Sequence, residues 1–492
     1  MRRIAFVIFI IVMLFSSACT MGPNYTRPAV ELPAAHRGAD AASASTASLA
    51  DLEWFKLFED PALTQLVTSA LESNFDLRIA AERVLQARAL YRGTRADQFP
   101  TVGANAGAGV QSVSVEAGNT LPSTVDRTVG IGEIGFSLGW EIDVWGRVRR
   151  LTEAARAQYF ASEEARYAVV NTLVADVMQT YLELRALDLE LDIARRTREI
   201  ADDGLRLTDA RRERGIGTML DVRQAAQLLH TASGQIANIE RQIALTENAL
   251  SLLLGHRPSD VPRGLPLEAF RVPAAVPAGL PSDLLERRPD IRRAEQELIA
   301  ANARIGAAKA EYFPRISLTG LFGFQSSSLV DLLSGGARFW SASAGASVPI
   351  FDAGRRGANL QFAESVQREL VVNYQRSIYT ALREVADALA GYQKTTEQRV
   401  EQEQLVTALR ESTKLSTQRY EGGIDNYLQV LDSQRNWFQG ELDLARLRQQ
   451  ELATIVQLYR ALGGGWSEYA KKVSAAPVAV PGATGPQRDQ RE

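Results

Sequence analysis

The sequence predicts an α+β protein made of two copies of one unit, in which long helices are joined to a small four-stranded sheet. The first observation is an internal repeat, because residues 211–224 overlay residues 419–432 at an offset of 208. The second is a proline-free stretch over residues 147–213, which would form a helix of about 100 Å at a rise of about 1.5 Å per residue. The third is a set of short segments in which apolar and polar residues alternate, as they do in β-strands.

The N-terminus predicts export and attachment to a lipid. Two arginines precede an apolar run over residues 4–15, which is shorter than the ~20 residues of a membrane-spanning helix. Small residues then lead to Cys19, the only cysteine, in an order that resembles a bacterial lipoprotein cleavage site. We therefore expect a signal peptide over residues 1–18 and a lipid-anchored segment with a linker over residues 19–61. The alternative is an ordinary signal peptide with an incidental cysteine.

The repeat also predicts the domain boundaries. The first copy covers residues 62–255 and the second covers residues 283–466. A Pro-rich equatorial linker over residues 256–282 joins them, and residues 467–492 are expected to form a disordered tail. In each copy, strands are expected at one end of the helices and a glycine-containing tip at the other.

Helical patterns over residues 62–98 and 218–254 flank the long helix of the first copy, and together they match its length. We expect them to stack end to end beside it. Apolar residues spaced 3, 4 and 3 apart along the long helix, and again 208 residues later, are typical of coiled-coil packing. They are Val174, Val177, Tyr181 and Leu184, followed by Leu382, Val385, Leu389 and Tyr392.

Four segments predict strands that are compatible with a membrane. In residues 134–144, apolar side chains alternate with glycine, serine and acidic residues, so that one face suits lipid and the other suits water. The other segments are residues 102–110, 316–325 and 340–350. Each copy thus has two strands around a polar loop, near residues 116–127 and 326–337 respectively.

The four strands of one chain would form an open sheet with two bare edges. Unpaired edges are not tolerated in lipid, so several chains would have to close such a sheet together. Two chains would give eight strands and a lumen filled by side chains, whereas three would give twelve strands and leave space for water. We therefore expect a trimeric twelve-stranded transmembrane β-barrel, with a soluble four-stranded sheet as the alternative.

The repeated segment predicts a tight helix–turn–helix tip in each copy. Gly215 in the first copy and Gly422-Gly423 in the second can adopt the positive φ that reverses a chain. In the second copy, the side-chain oxygens of Asp425 and Asn426 are expected to cap the helix that follows.

One face of that following helix carries Leu428, Asp432 and Arg435, which are spaced 4 and 3 apart. An apolar, an acidic and a basic side chain make a poor core stripe. They would suit a face that closes against copies of itself. The alternative is a solvated helix start with an incidental ion pair.

Composition excludes several classes of function. The net charge of −3 gives no support for a nucleic-acid partner. With one cysteine and three scattered histidines, the sequence predicts no intrachain disulfide and no metal site. Its polar residues lie along rods rather than converging on one point, so we predict neither an enzyme nor a cofactor. A coiled-coil scaffold would explain the helices, but neither the strands nor the signal peptide.

Several motifs together resemble one family. They are G-P-N-Y-T-R-P from Gly22, W-F-K-L-F-E-D-P-A-L from Trp54, W-E-I-D-V-W-G-R from Trp140, F-D-A-G-R-R from Phe351, and the second tip. In this order they resemble the TolC-like outer membrane efflux channels, in the lipoprotein branch often labelled NodT. The resemblance implies a homotrimer whose twelve-stranded β-barrel lies in the outer membrane of a Gram-negative bacterium and continues into a long periplasmic α-helical barrel.

The resemblance also implies a function. Such a protein is the outer membrane channel of a tripartite efflux pump, a passive duct for small molecules that docks onto a periplasmic adaptor protein and an inner-membrane pump. The runner-up within the channel class is the outer membrane duct of a one-step protein secretion system.

By the same resemblance, Leu428, Asp432 and Arg435 constrict the periplasmic mouth. Tyr420 and Asp221 match a tyrosine and an aspartate that would tether the two hairpins by hydrogen bonds. The adaptor-docking tips are Gly215, Ile216, Gly217, Gly422 and Gly423.

Overall fold

A computed structural model of the chain describes residues 20–38, 48–112, 128–271 and 277–466. The predicted signal peptide, Cys19, the loop predicted near residues 116–127 and the predicted tail lie outside the described residues. Residues 39–47, within the predicted lipid-anchored segment and linker, lie outside them as well.

The helices and strands follow one another in two similar series. The first series is α1 (Pro61–Ser73), α2 (Phe75–Ala96), β1 (Thr101–Ser112), β2 (Thr128–Ile142), α3 (Arg147–Glu213) and α4 (Met219–Leu253). The second series is α5 (Leu284–Arg287), α6 (Pro289–Ala310), β3 (Arg315–Ser326), β4 (Arg338–Ser347), α7 (Arg355–Glu421) and α8 (Tyr427–Ala461). No helix within the described ranges combines the length and the apolar composition needed to cross a lipid bilayer.

The long helices of the two series agree in length. α3 and α7 both contain 67 residues, and α4 and α8 both contain 35. α7 and α8 each begin 208 residues after their counterparts, which is the offset of the sequence repeat. Both long helices are uninterrupted, because neither contains the proline that would break the hydrogen bonds of its backbone.

The helix predicted over residues 62–98 is instead two helices, so that prediction was wrong. The chain leaves the helix at Asn74, whose ψ of 135° is not helical. The Asn74 side-chain oxygen accepts a hydrogen bond from the N–H of Leu77 and so caps α2. Its side-chain amide donates to the carbonyl of Leu253 at the end of α4, at 2.9 Å. The interruption therefore lies where α1 and α2 meet the end of α4.

The described chain divides into two compact units. Of the described residues, the first comprises residues 20–29, 83–112, 128–163 and Arg293–Gln375, and it contains the sheet. The four predicted strands are present in one sheet, in the order β1-β2-β3-β4, and all neighbouring strands are antiparallel. Among the described residues, β1 and β4 each have one edge without a strand partner.

The strand register places apolar residues of neighbouring strands on one face. Phe136 of β2 lies opposite Phe322 of β3, which in turn lies opposite Trp340 of β4, and all three are exposed. Val348 and Ile350, which the alternating pattern includes, lie beyond the end of β4. Within the strands, the sheet therefore has one exposed apolar face.

The segment after Cys19 packs in this same unit. The Arg27 guanidinium donates two hydrogen bonds of 2.7 Å to the Glu295 carboxylate on α6, and the Tyr25 hydroxyl donates a third at 3.1 Å. Gly22 lies so close to Gly306 that a Cβ at Gly22 would be 2.5 Å from the Gly306 Cα. The start of the described chain is thereby fixed to α6.

Of the described residues, the second unit comprises residues 30–38, 48–82, 164–271, 277–292 and 376–466, and it contains both tips. The four residues of the predicted coiled-coil seam in α3 are almost completely buried. The Pro-rich linker is attached to α3 through Asp60. The Asp60 carboxylate accepts one hydrogen bond from the Tyr181 hydroxyl of α3 and one from the N–H of Leu265 in the linker. The helices of this unit therefore form a packed scaffold behind the tips.

Candidate functional site

The two tips have the same backbone geometry. Gly215 and Gly423 have φ of +75° and +74°, and they follow the last residues of α3 and α7. The N–H of Ile216 donates to the carbonyl of Arg211 at 3.0 Å, and the N–H of Ile424 donates to the carbonyl of Arg419 at 2.9 Å. This is the Schellman arrangement, in which a glycine with positive φ closes a helix C-terminus. The prediction of glycine-dependent reversals is confirmed at both positions.

The helix starts after the two turns differ. In the first tip, Thr218 and Asp221 form a capping box, with the Asp221 carboxylate accepting from the N–H of Thr218 at 2.9 Å. In the second tip, Asn426 makes no side-chain capping bond. The Asp425 carboxylate instead accepts two hydrogen bonds from the Arg419 guanidinium, at 2.6 and 3.2 Å. The predicted capping by Asp425 and Asn426 was therefore wrong. The Asp425 carboxylate is hydrogen-bonded to Arg419, six residues earlier, and not to the N-terminus of α8.

The tips expose apolar side chains and open backbone. Ile216 is 65% exposed and Ile424 is 67% exposed, at equivalent positions. A Cβ added to Gly215 or Gly423 would have no heavy atom within 4 Å. At Gly217, in contrast, a Cβ would lie 3.0 Å from the N atom of Arg212, so the backbone approaches too closely for a side chain.

The first two turns of α8 have one buried and one exposed face. Tyr427, Val430 and Leu431 are buried among residues of α3, α4 and α7. Leu428 is 48% exposed, and Asp432 and Arg435 are also exposed on the opposite face. The sequence therefore predicts correctly that these three side chains share a face that does not belong to the core of the chain.

The charges of this exposed face have no ionic partner among the residues that the structure describes. In the part of the chain that the structure describes, Asp432 accepts only a long hydrogen bond of 3.4 Å from the Asn436 amide, and Arg435 forms no ion pair. The incidental ion pair between Asp432 and Arg435, considered as the alternative, is not formed. Both charges remain available to groups outside the chain.

Tyr420 does not form the hydrogen-bond tether to Asp221 that the resemblance implies. Its hydroxyl is buried without a hydrogen-bond partner among the described residues. The Asp221 carboxylate instead accepts hydrogen bonds from the N–H and the hydroxyl of Thr218. The Tyr420 ring instead lies under the guanidinium of Arg211, whose Cζ is 4.7 Å from the ring centroid. That arrangement is a cation–π contact. A contact between the hairpins is present, but its chemistry is different.

Two residues that sequence reasoning did not single out complete this contact. Tyr427 packs edge-on against Tyr420, with ring centroids 5.2 Å apart, and its hydroxyl is also buried without a partner. It lies above Gly204 of α3, where a Cβ would be only 2.9 Å from the hydroxyl oxygen. A buried hydroxyl with no partner costs about 1–3 kcal/mol, so packing rather than hydrogen bonding holds these rings in place. The short spacing of Tyr420 and Tyr427 across the turn was the available signal.

The tips present a surface for binding, and within the described residues no three His, Cys, Asp or Glu side chains are grouped so that they could hold a metal ion. Helices α3, α4, α7 and α8 pack together and present two glycine turns with exposed isoleucines. A polar face lies one to two helical turns after the second glycine turn, and its charges have no ionic partner in the described part of the chain. These are features of a surface that meets other protein chains.

Comparison with known proteins agrees with this description. The model of the outer membrane efflux protein family matches residues 66–256 and 280–464. The chain is 42% identical over 463 residues to the solvent efflux pump outer membrane protein SrpC of Pseudomonas putida, which covers 92% of this chain and 97% of SrpC. It is 40% identical over 474 residues to OprJ of Pseudomonas aeruginosa, covering 95% and 98% of the two chains.

A solved structure has the same fold. The open-state MtrE outer membrane channel of Neisseria gonorrhoeae matches with a TM-score of 0.82 and 32% identity, over 91% of this chain and 99% of MtrE. The resemblance to TolC-like outer membrane efflux channels that the sequence indicates is thus confirmed, and the chain belongs to the outer membrane efflux protein family.

Proposed function

We propose that three copies of this chain form a passive outer membrane duct, which exports small molecules delivered by other components of an efflux pump. The observation that carries the trimer is the four-stranded sheet with two unpaired edges and one exposed apolar face. In a lipid bilayer every backbone group must be paired, so the edges must be closed by further strands. Three sheets give twelve strands, which leave a water-filled lumen.

Efflux is favoured over the one-step protein secretion duct by the relatives. SrpC is a solvent efflux pump protein, and the family model describes efflux proteins. A pump of this kind needs a periplasmic adaptor and an inner-membrane transporter, because a passive duct supplies no energy of its own. We place adaptor docking at the two tips, whose glycines and exposed isoleucines offer a backbone surface without bulky side chains.

Leu428, Asp432 and Arg435 form the periplasmic gate in this proposal. They share the face of α8 that the core of the chain leaves exposed, and the two charges have no ionic partner in the described residues. Around a threefold axis, Leu428 would narrow the opening, and Arg435 would meet the Asp432 carboxylate of a neighbouring chain. In this proposal the duct is passive, so no residue acts as a catalyst. Its functional domains are the two sequence copies, with the Pro-rich linker between them.

The trimer is tested by the size of the purified protein. We expect detergent-extracted protein to have the protein mass of three mature chains in light scattering after size exclusion, because only a closed barrel leaves no strand edge exposed to lipid. Each mature chain is lighter than the 53.9 kDa of the full sequence, since the signal peptide is removed. The same material should conduct ions after insertion into planar bilayers. A monodisperse monomer that needs no detergent would contradict the proposal.

The lipid anchor is tested at Cys19, which lies outside the described residues. We expect a palmitate analogue to label the wild type and not Cys19→Ser, since no other cysteine is present. Trimer yield should change little in the variant, because the strands themselves hold the protein in the membrane. Label that persists in Cys19→Ser would show that the acyl chain is attached elsewhere.

A further inference from the structure

The connection between β3 and β4 lies at the end of the sheet away from the helices. Helix α6 precedes β3 and helix α7 follows β4, and at this helix end of the sheet Arg315 pairs with Ser347. At the opposite end, Phe324 pairs with Arg338. We call the connection, residues 327–337, the distal loop. In the proposed duct the helices are periplasmic, so the distal loop lies at the outer leaflet of the membrane.

Part of the distal loop folds onto the apolar face of the sheet. Even-numbered residues of β2, such as Ile134 and Phe136, lie on that face, and Gly132 belongs to the same series. A Cβ at Gly132 would lie 3.0 Å from the Cδ2 atom of Leu329 and 3.8 Å from the Cδ2 atom of Leu332. The two leucines therefore cover Gly132 from the apolar side of the sheet and not from its polar side.

The distal loop extends the apolar face and leaves its own apolar side chains uncovered. Leu329, Val330 and Leu333 are 71%, 93% and 73% exposed. Apolar surface removed from water is stabilised by about 25 cal/mol per Å², so such side chains are poorly placed in water. Because Gly132 lies in β2, an inner strand, the loop leans towards the middle of the sheet, away from the edges at which further chains would join. Its neighbour on this face is therefore the same lipid that surrounds the strands.

One basic side chain lies where the apolar face ends. Arg338 is the first residue of β4, it is exposed, and it shares the face of Phe324 and Trp340. Among the described residues it forms no ion pair, and Asp331 of the distal loop is not its partner. Trp340 belongs to the exposed row of aromatic residues that crosses β2, β3 and β4. Aromatic residues next to a basic residue are typical of the boundary between hydrocarbon and headgroups.

The height of the sheet places Arg338 near that boundary. Its partner Phe324 lies eight positions after Ile316, which is about 27 Å along a strand at ~3.4 Å per residue. A strand tilt of about 40° reduces this to roughly 21 Å, within an apolar band of about 25 Å. Gly132, which the loop covers, pairs with Ser326, two residues further out. The distal loop thus reaches the outer limit of the band, just beyond Arg338.

We propose that the distal loop inserts into the outer leaflet and that Arg338 binds the phosphate of a lipid headgroup there. This inference rests on the proposed barrel, because only a sheet in the membrane places the loop at the outer leaflet. Leu329, Val330 and Leu333 contact the acyl chains, and the guanidinium extends to the headgroup. Guanidinium and phosphate form charge-assisted, bidentate pairs, so one arginine can favour a phosphorylated headgroup with an exposed phosphate.

Insertion of the loop is tested with a fluorescent probe on Val330→Cys, in trimers reconstituted into phosphatidylcholine vesicles. We expect nitroxides on the lipid acyl chains to quench this probe several-fold more strongly than iodide in the water. The unsubstituted chain, carried through the same labelling, corrects for any label on Cys19. Quenching by iodide alone would place the loop in water and overturn the inference. Protection from both quenchers would mean that another protein chain covers the loop, which would overturn it as well.

Gln325→Cys is the matched control. Gln325 is the neighbour of Phe324 on the opposite, polar face of β3, so its probe should be quenched by iodide and not by the nitroxides. A probe on Phe136→Cys, on the apolar face of β2, separates the loop from the barrel. If the lipid nitroxides quench the probe at 136 and not the probe at 330, only the loop inference is wrong. If they quench neither, the proposed barrel is wrong.

The phosphate site is tested by the amount of lipid A that detergent-purified trimers retain in native mass spectrometry. We expect Arg338→Gln to retain about fivefold less than the wild type, since one basic residue near an anionic surface changes association by about that factor. Arg338→Lys keeps the charge without the planar fork and should retain an intermediate amount. Arg315→Gln, which removes an exposed arginine from the polar face at the helix end, should equal the wild type. Wild-type retention in Arg338→Gln, or an equal loss in Arg315→Gln, would overturn the site.

Discussion

Gly215→Arg combined with Gly423→Arg is expected to abolish export of toxic compounds while leaving the yield of trimer unchanged. Both glycines lie at the turn, with open space around the position of a Cβ, so an arginine would project from the tip. A partner that contacts the backbone of the turn would then be held off by two long charged side chains per chain. Resistance of cells to pump substrates, compared at equal protein levels, measures the effect.

Arginine at these positions also strains the backbone, and the control must carry the same strain. A residue with a Cβ in the left-handed region costs about 1–2 kcal/mol, whatever its side chain. Gly215→Ala with Gly423→Ala has this cost, but its methyl groups point into open space. We expect it to retain most of the resistance. Undiminished efflux in the arginine variant would mean that the adaptor engages another surface, and equal loss in both variants would mean that strain alone is responsible.

Local sequence was sufficient to predict most of the fold. α3 and α7 follow from proline-free stretches, and the strands follow from alternation, since each feature depends on residues near it in the chain. The break at Asn74 could not be predicted in this way, because no glycine or proline marks it. It depends on the hydrogen bond from Asn74 to Leu253, which are 179 positions apart. A single sequence contains no local signal for such a contact.

In the candidate site, too, the features set by neighbouring residues were predictable, and those set by residues far apart in the chain were not. The positive φ of Gly215 and Gly423 and the exposed face with Asp432 were predictable, since a helix turn and a helix face are set within a few residues. The role of Tyr420 was not, because its ring is covered by Arg211, which lies 209 positions earlier. The family resemblance indicated the correct tyrosine and the wrong contact. Adding Tyr420→Phe to a gate variant is therefore not expected to release a hydrogen bond.

The proposed gate would depend on weak interactions between chains. Three Asp432 carboxylates around one axis would repel each other, and Arg435 from neighbouring chains would offset that repulsion. Ion pairs that are partly exposed to water contribute only about 0–1 kcal/mol each. Such a gate opens when a few contacts are lost, while the packed helices behind it remain intact. The Asp432 ring should also attract cations to the closed mouth.

Asp432→Ala with Arg435→Ala is therefore expected to raise single-channel conductance in planar bilayers several-fold, with less preference for cations and no change in trimer yield. The control is Arg383→Ala with Asp387→Ala, which removes one basic and one acidic residue from an exposed pair on α7 and should conduct like the wild type. Conductance of the gate variant that equals the wild type would mean that Asp432 and Arg435 only solvate α8. A rise in both variants would mean that the loss of charge, and not the loss of this face, loosens the helices.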